Sequence, residues 1–303
     1  MKDIMHDIAV TIPKRYTRNQ KELFLRLLLT ELEGSGLSLD TVTMGNKTIK
    51  YVNLVVGDLA KANKVVFVGY DTPSKMLIPN YEFTPLDVKK IMNYEKLNRA
   101  LLFIVPLLFI FFTTLIFNKA SGNILMYIVA VVFALITLYS FFKVAPGIAN
   151  RFNFNRNSAA VAVAVRLIKE YNGSDKVAFV FCDNMAESYL GLFDFVDTIS
   201  KDKQIIILDA LACGESLVLF STNKNANELK EEFLFEDYEM RCINMNRVSD
   251  IFSSIKNELI FICSGKLEKR KFILENVRTS KDIAVDMKRL EVIFSELLKY
   301  VNK

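Results

Sequence analysis

The stretch KVAFVFCDNMAESYLGLF, from Lys176 to Phe193, changes character halfway. Val177 to Phe181 is an unbroken apolar run, short enough to be a strand buried on both faces. Asp183-Asn184 breaks it, and a helix-like segment follows. Strand, break and helix in succession are the unit of a sheet covered by helices. In such folds the position just past the carboxyl end of a strand is where ligands bind and chemistry occurs. Here that position carries Met185 and Ala186, which can neither bind a metal nor move a proton.

The pattern repeats outward from this stretch. IKYVNLVVGD (49–58), KVVFVGYD (64–71), QIIILDALA (204–212), SLVLFST (216–222) and ELIFICSG (258–265) read as strands, the last a buried one. TRNQKELFLRLLLTELE (17–33) is amphipathic, with Thr17 placed to cap it and Gly34-Ser35-Gly36 to end it. NSAAVAVAVRLIKEYNG (157–173) reads as a helix rich in small residues, and NANELKEEF (225–233) as a short exposed one. From Lys281 to Val301 the apolar residues Ile283, Met287, Leu290, Phe294, Leu297 and Val301 recur at helical spacing. The expected class is α/β, with a central mixed, mostly parallel sheet flanked by helices.

The chain has 303 residues, half of them hydrophobic, and its mean hydropathy is +0.24. The excess is local. ALLFIVPLLFIFFTTLIF (100–117) and ILMYIVAVVFALITLYSFF (124–142) carry no charge, and each is about as long as a bilayer's hydrocarbon core requires. A polar turn, 118–123, joins them, so the sequence predicts a transmembrane helical hairpin at 99–143, entered by a helix from about Pro85. It is inserted in one discontinuous domain formed by 1–98 and 144–303, because neither flank holds a complete sheet. Pro106 in the first span and Ala130 with Ala134 in the second permit close helix contact.

Lys89, Lys90, Lys96 and Arg99 precede the spans and Lys143, Arg151 and Arg156 follow them, against Lys119 alone in the turn. That bias expects a multi-pass cell-membrane protein with the domain and both termini cytoplasmic, and flanking cations against anionic headgroups. MKDIMHDIAVTIPKRY has no apolar core of a signal peptide. Cys182, Cys213, Cys242 and Cys263 show no paired spacing and suit reduced thiols. The net charge of +5 is scattered, Lys269-Arg270-Lys271 being a small cluster on a solvated face. No basic stripe interleaved with aromatics points to nucleic acid.

The order of segments resembles peptidase family twenty-eight of the metallopeptidases, the co-catalytic zinc aminopeptidases and their glutamate-carboxypeptidase relatives. NLVVGDLAKANKVVFVGYDTPSK (53–75) is similar to the run into that family's His-x-Asp motif, with Asp71 on the aspartate and Gly69 on the histidine ligand. FNRNSAAVAVAV (154–165) resembles the Asp-Asn-x-Ser-Gly helix start, with Arg156 where the aspartate bridges two metals and Asn157 matching. FVFCDNMAESYLG (179–191) resembles the Asp-x-Glu-Glu-x-Gly-x-x-Gly stretch: Asp183 and Gly191 match, Met185 falls on the general base and Ala186 on a glutamate ligand. IIILDALACGESLVLF (205–220) keeps the ligand Asp209. VSDIFSSIKNELIFI (248–262) keeps Asp250 but places Ile251 on the last histidine ligand, and RTSKD (278–282) resembles the Thr-x-x-Asp that opens the final helix.

The resemblance implies an aminopeptidase scaffold without its chemistry. Of five metal-ligand positions only Asp209 is kept, zinc is expected to be absent, and no catalytic residue remains. The single histidine, His6, is far from these motifs. A guanidinium at Arg156 repels a dication and is expected to pair with Asp209 or Asp71. Cys182 reads as a buried strand thiol, Ser158 as a helix cap, Glu187 as a solvated helix position, and Asp71 as a cap or partner within its own loop. The expected function is a membrane-anchored pseudopeptidase that binds a peptide or protein in the old cleft or scaffolds a membrane complex. The alternative is a hydrolase with a remodelled single-metal or metal-free site. A third is a subunit whose spans pack against another membrane protein.

Overall fold

The computed structural model describes all 303 residues except 46–49, 174, 224–225, 236–237, 239, 246–248, 250–251 and 269–270. Asp250 and Ile251, and Lys269 with Arg270, therefore lie outside the described residues. In chain order the elements are α1 (Lys2–His6), α2 (Arg18–Leu32), β1 (Leu39–Gly45), β2 (Lys50–Val56), β3 (Lys64–Gly69), α3 (Val88–Lys119), α4 (Ile124–Val144) and α5 (Ala159–Glu170). There follow β4 (Val177–Cys182), α6 (Leu190–Val196), β5 (Gln204–Asp209), β6 (Ser216–Ser221), α7 (Ala226–Glu232), β7 (Met240–Asn244), β8 (Leu259–Glu268), β9 (Lys271–Ile273) and α8 (Met287–Val301).

Among the described residues the strands form one sheet in the order β1-β2-β4-β3-β5-β8-β6-β7, with β9 on β8. The inner strands β4, β3, β5 and β8 are mutually parallel, and β2–β4 and β6–β8 are antiparallel. Strand alternation divides the core into two layers. Val66 and Val68 of β3 face α2, α5 and α8, whereas Val65 and Phe67 face α6 and the start of α3. Burial on both faces is why these strands read as unbroken apolar runs.

α5 lies against the sheet, and every residue from Ala159 to Val165 is buried. Its alanines let the backbone approach closely. α2 buries Phe24, Leu25, Leu28 and Leu32, one stripe of a 3.6-residue period. Cutting back any of these large side chains costs roughly 2–5 kcal/mol. Thr17 caps it in a capping box with Gln20, whose side chain accepts from the Thr17 amide at 3.1 Å. α8 starts later than the periodicity suggests. Asp286 caps it, accepting from the Arg289 amide at 3.0 Å, and Ile283 is exposed in the loop before it.

α3 and α4 leave the sheet after β3 and return before α5. Both are long and apolar enough to cross a membrane, and their most apolar windows are only 11% and 6% buried, unlike core helices. Phe103–Phe141, Phe109–Phe133 and Phe117–Tyr127 pair along the antiparallel hairpin, and Ala130 is buried between the helices. The hydroxyls of Thr113 and Thr137 donate to carbonyls of their own helices. α3 has 32 residues, about 48 Å, and its first turns run past α4 with Val88, Ile91, Glu95 and Asn98 buried on one face against the domain.

Candidate functional site

The carboxyl ends of β3, β4 and β5 place Asp71, Asp183 and Asp209 at one edge of the sheet, and the turn into α5 brings Arg156 and Asn157 beside them. Arg156 has extended backbone (φ −76°, ψ 120°) and Asn157 is left-handed (φ 71°), so the chain kinks just before α5 and sends both side chains inward. Arg156 is 1% exposed. Its Nε lies 3.3 Å from Asp209 Oδ1, and one terminal nitrogen donates to the Ala186 carbonyl at 3.0 Å. Its guanidinium lies 3.9 Å from the Phe83 ring centre and 5.4 Å from that of Tyr189. The Tyr189 hydroxyl donates to the other Asp209 oxygen. Burial works against the charge on Arg156, but Asp209, with Tyr189, Cys263 and Tyr81 adding to it, holds the group above its ordinary value. Buried here, Arg156 is withdrawn from the cations flanking the spans.

Asp71 is not paired with Arg156. Its carboxylate accepts from the amides of Met185 at 3.1 Å and Ala186 at 3.1 and 3.2 Å, the residues at the general-base and ligand positions. It therefore ties two strand ends together instead of serving its own loop. Burial pushes its pKa well up, opposed by Lys21. Lys21 itself bonds Asp183 at 2.5 Å. Arg15, fully buried, donates to the carbonyls of Tyr70 (2.6 Å), Ile8 (2.9 Å) and Ile12 (3.0 Å) and to the Ser158 hydroxyl (2.9 Å). Ser158 is thus an acceptor for Arg15 and not a helix cap. Burial lowers Arg15 to about 9, with Asp71 opposing. Cys182 is buried on β4, and burial pushes its thiol well above the usual range.

Glu187 lies in the turn before α6, not on a helix. It accepts from the Ser74 amide at 2.9 Å and stands 3.7 Å from Arg278. Burial raises it, but Arg278 and Ser74 prevail and lower it.

Among the described residues the donor set does not fit a two-zinc centre. Zinc needs several N, O or S donors converging at roughly 2.0–2.3 Å. A Cβ added to Gly69 would stand 2.8 Å from Asn157 Nδ2 and 3.0 Å from Met185 Cβ, so the space for a side chain at the histidine position is already filled. Ala186 presents only its backbone, and Arg156 puts a fixed cation where a bridging carboxylate is needed. The segment before α3 closes the site from above. Phe83 bridges to Leu274 in antiparallel fashion, and Tyr81 and Phe83 are both buried.

Compared with solved structures, the chain is similar to a glutaminyl cyclase from Porphyromonas gingivalis (12% identity, TM-score 0.57, covering 99% of this chain and 96% of that one). It is similar to a Zn-dependent exopeptidase from Parabacteroides distasonis (12%, 0.56, 100% and 97%) and to a leucine aminopeptidase precursor from Bacteroides thetaiotaomicron (10%, 0.55, 100% and 96%). The fold is zinc-aminopeptidase-like. No family model matches the chain, and no curated protein matches it in sequence. At such identities the likeness carries the sheet and helices but not the site.

Sequence reasoning missed Arg15, Lys21, Phe83 and Tyr189. Lys21 left one signal: it falls on the same helical stripe as Phe24, Leu25, Leu28 and Leu32, where an apolar residue belongs.

Proposed function

We propose that the protein is a membrane-anchored pseudopeptidase, a peptidase-like domain that works as a scaffold or binding module without hydrolysing peptides. The observation that carries this reading is the Arg156–Asp209 pair, in which a buried guanidinium stands where the fold's zinc enzymes would need an anion. Phe83 lies over the guanidinium of that pair and is itself buried, so a partner is expected on the outer surface of the domain or along the spans, not at the old catalytic floor. Protein purified and dialysed against micromolar zinc should hold well under one zinc per chain and cleave none of a broad panel of aminoacyl and peptide substrates. Stoichiometric zinc, or turnover sensitive to a chelator, overturns the proposal.

The proposed topology has α3 and α4 crossing the membrane with the domain in the cytoplasm, supported by the exposed apolar windows and the flanking cations. A cysteine at Ser121, in the turn, should react with an impermeant maleimide in intact cells. Labelling only after lysis would reverse the orientation.

A further inference from the structure

Two sets of contacts fix the height of the domain relative to the apolar runs. Asn98 stands two residues before Ala100, where the uncharged run begins. Its side chain accepts from the Leu77 amide at 2.8 Å and donates to the Lys75 carbonyl at 3.1 Å. Two helical residues rise about 3 Å, so segment 75–77 is level with the point where α3 leaves its apolar run. On the other side α4 ends at Val144. Within a few residues the chain is bound to the same segment: the Lys75 amide donates to the Ile148 carbonyl at 2.6 Å, the Asn150 amide donates to the Pro73 carbonyl at 3.1 Å, and Ser74 bridges Ala149. The Tyr16 hydroxyl donates to the Pro146 carbonyl. A headgroup layer is roughly 5–8 Å deep on each side of the hydrocarbon, so with the spans inserted these residues are within reach of it.

Their chemistry suits that layer. Lys75, Leu77, Ile148 and Arg151 are all exposed, two cations beside two aliphatic side chains, with Arg99 and Lys143 at the ends of the spans. The two carboxylates nearby are engaged elsewhere, Glu95 by Arg278 and Glu187 by Ser74 and Arg278. We propose that Tyr16, Lys75, Leu77, Ile148 and Arg151 form a seat that rests in the anionic headgroup layer, so that the domain lies on the leaflet with the carboxyl edge of its sheet toward the bilayer. The proposal rests on the reading that α3 and α4 span the membrane. The cations meet lipid phosphates, the aliphatic side chains enter the acyl boundary, and the tyrosine takes the interfacial position aromatic residues favour.

The test uses the full chain with Cys213 and Cys242 replaced by serine, reconstituted into vesicles of three parts phosphatidylcholine to one part phosphatidylglycerol. An environment-sensitive fluorophore is placed singly by Leu77→Cys, Ile148→Cys, Leu115→Cys (within the span) or Asn302→Cys (beyond the amino-terminal end of the sheet). Headgroup-spin-labelled lipid should quench positions 77 and 148 at least twofold more than 302. Adding Lys75→Glu with Arg151→Glu, or omitting the anionic lipid, should at least halve the quenching at 148 and leave position 115 unchanged. Quenching at 77 and 148 no greater than at 302, with depth-dependent quenching retained at 115, overturns the seat and leaves the spans standing. No lipid quenching at 115 removes the spanning reading, and the seat with it. Quenching at 148 that ignores both the charge reversal and the lipid composition overturns the anionic preference.

Discussion

A carboxylate held in a buried cleft must find a cation, a set of amides, or a proton. In this chain all three solutions are visible. Asp209 has Arg156 and the Tyr189 hydroxyl, Asp183 has Lys21, and Asp71 has two amides and a raised pKa. Removing one partner of a buried pair leaves the other uncompensated, at roughly 3–5 kcal/mol. Arg156→Ala should lower the thermal midpoint clearly. Asp209→Asn combined with it should cost less than the sum of the two single changes, because both act on one interaction. Full additivity in a thermal-shift cycle would mean that the pair is not the source of the loss. That Arg156 has a carboxylate beside it could be anticipated from the resemblance, since the motif order alone brings 156 and 209 to one edge. The roles of Arg15 and Lys21 could not, because nothing in a linear sequence says that an N-terminal segment folds over to reach residues 70 and 183.

The two long apolar helices, the strands and α2 were legible because each is a long or strongly periodic pattern. The start of α8 was not. Periodicity continues back to Ile283, but the Asp286 cap and the loop that carries Arg278 and Asp282 set the real boundary. That loop matters to the hairpin. Arg278 is fully buried, pairs with Glu95 on α3, and donates to the Ser74 carbonyl at 2.9 Å and the Ser74 hydroxyl at 2.8 Å. It thereby clamps the first turns of α3 to the segment that leaves β3. Glu95→Ala should destabilise the detergent-solubilised protein by about 3 kcal/mol or more and make the chain more readily cleaved by protease between residues 75 and 98. Lys61→Ala, which breaks an exposed pair with Asp175, serves as control and should leave the transition unmoved. An equal response in the two variants would show that the clamp is no stronger than a surface contact.

For the protein taken together, two buried carboxylates give stability an unusual pH dependence. Burial raises Asp282 to about 7 and pushes Asp71 upward as well. A carboxyl group whose folded pKa exceeds its unfolded value binds more protons when folded. Its contribution is fully present below about pH 4 and is lost as pH rises toward 7. Asp282 accepts from the Asn155 amide at 2.8 Å, a bond that asparagine can keep. Asp282→Asn should therefore gain stability relative to the parent chain as pH is raised from 4 to 7, on the order of a few kcal/mol for a shift of this size. Denaturant midpoints that stay parallel across that range would refute it.

The hairpin also sets a timetable for biosynthesis. β3 has no neighbour in the sheet until β4 and β5 exist, and Lys64 pairs with Val177, 113 positions later. Between them the ribosome must make both apolar helices. At ordinary elongation rates that delay is on the order of ten seconds. During it, β3 waits as an unpaired apolar strand, and β2, paired with β1, keeps its other edge open. Those open edges must be shielded until β4 and β5 have been made, so synthesis of the hairpin and closure of the sheet are consecutive steps.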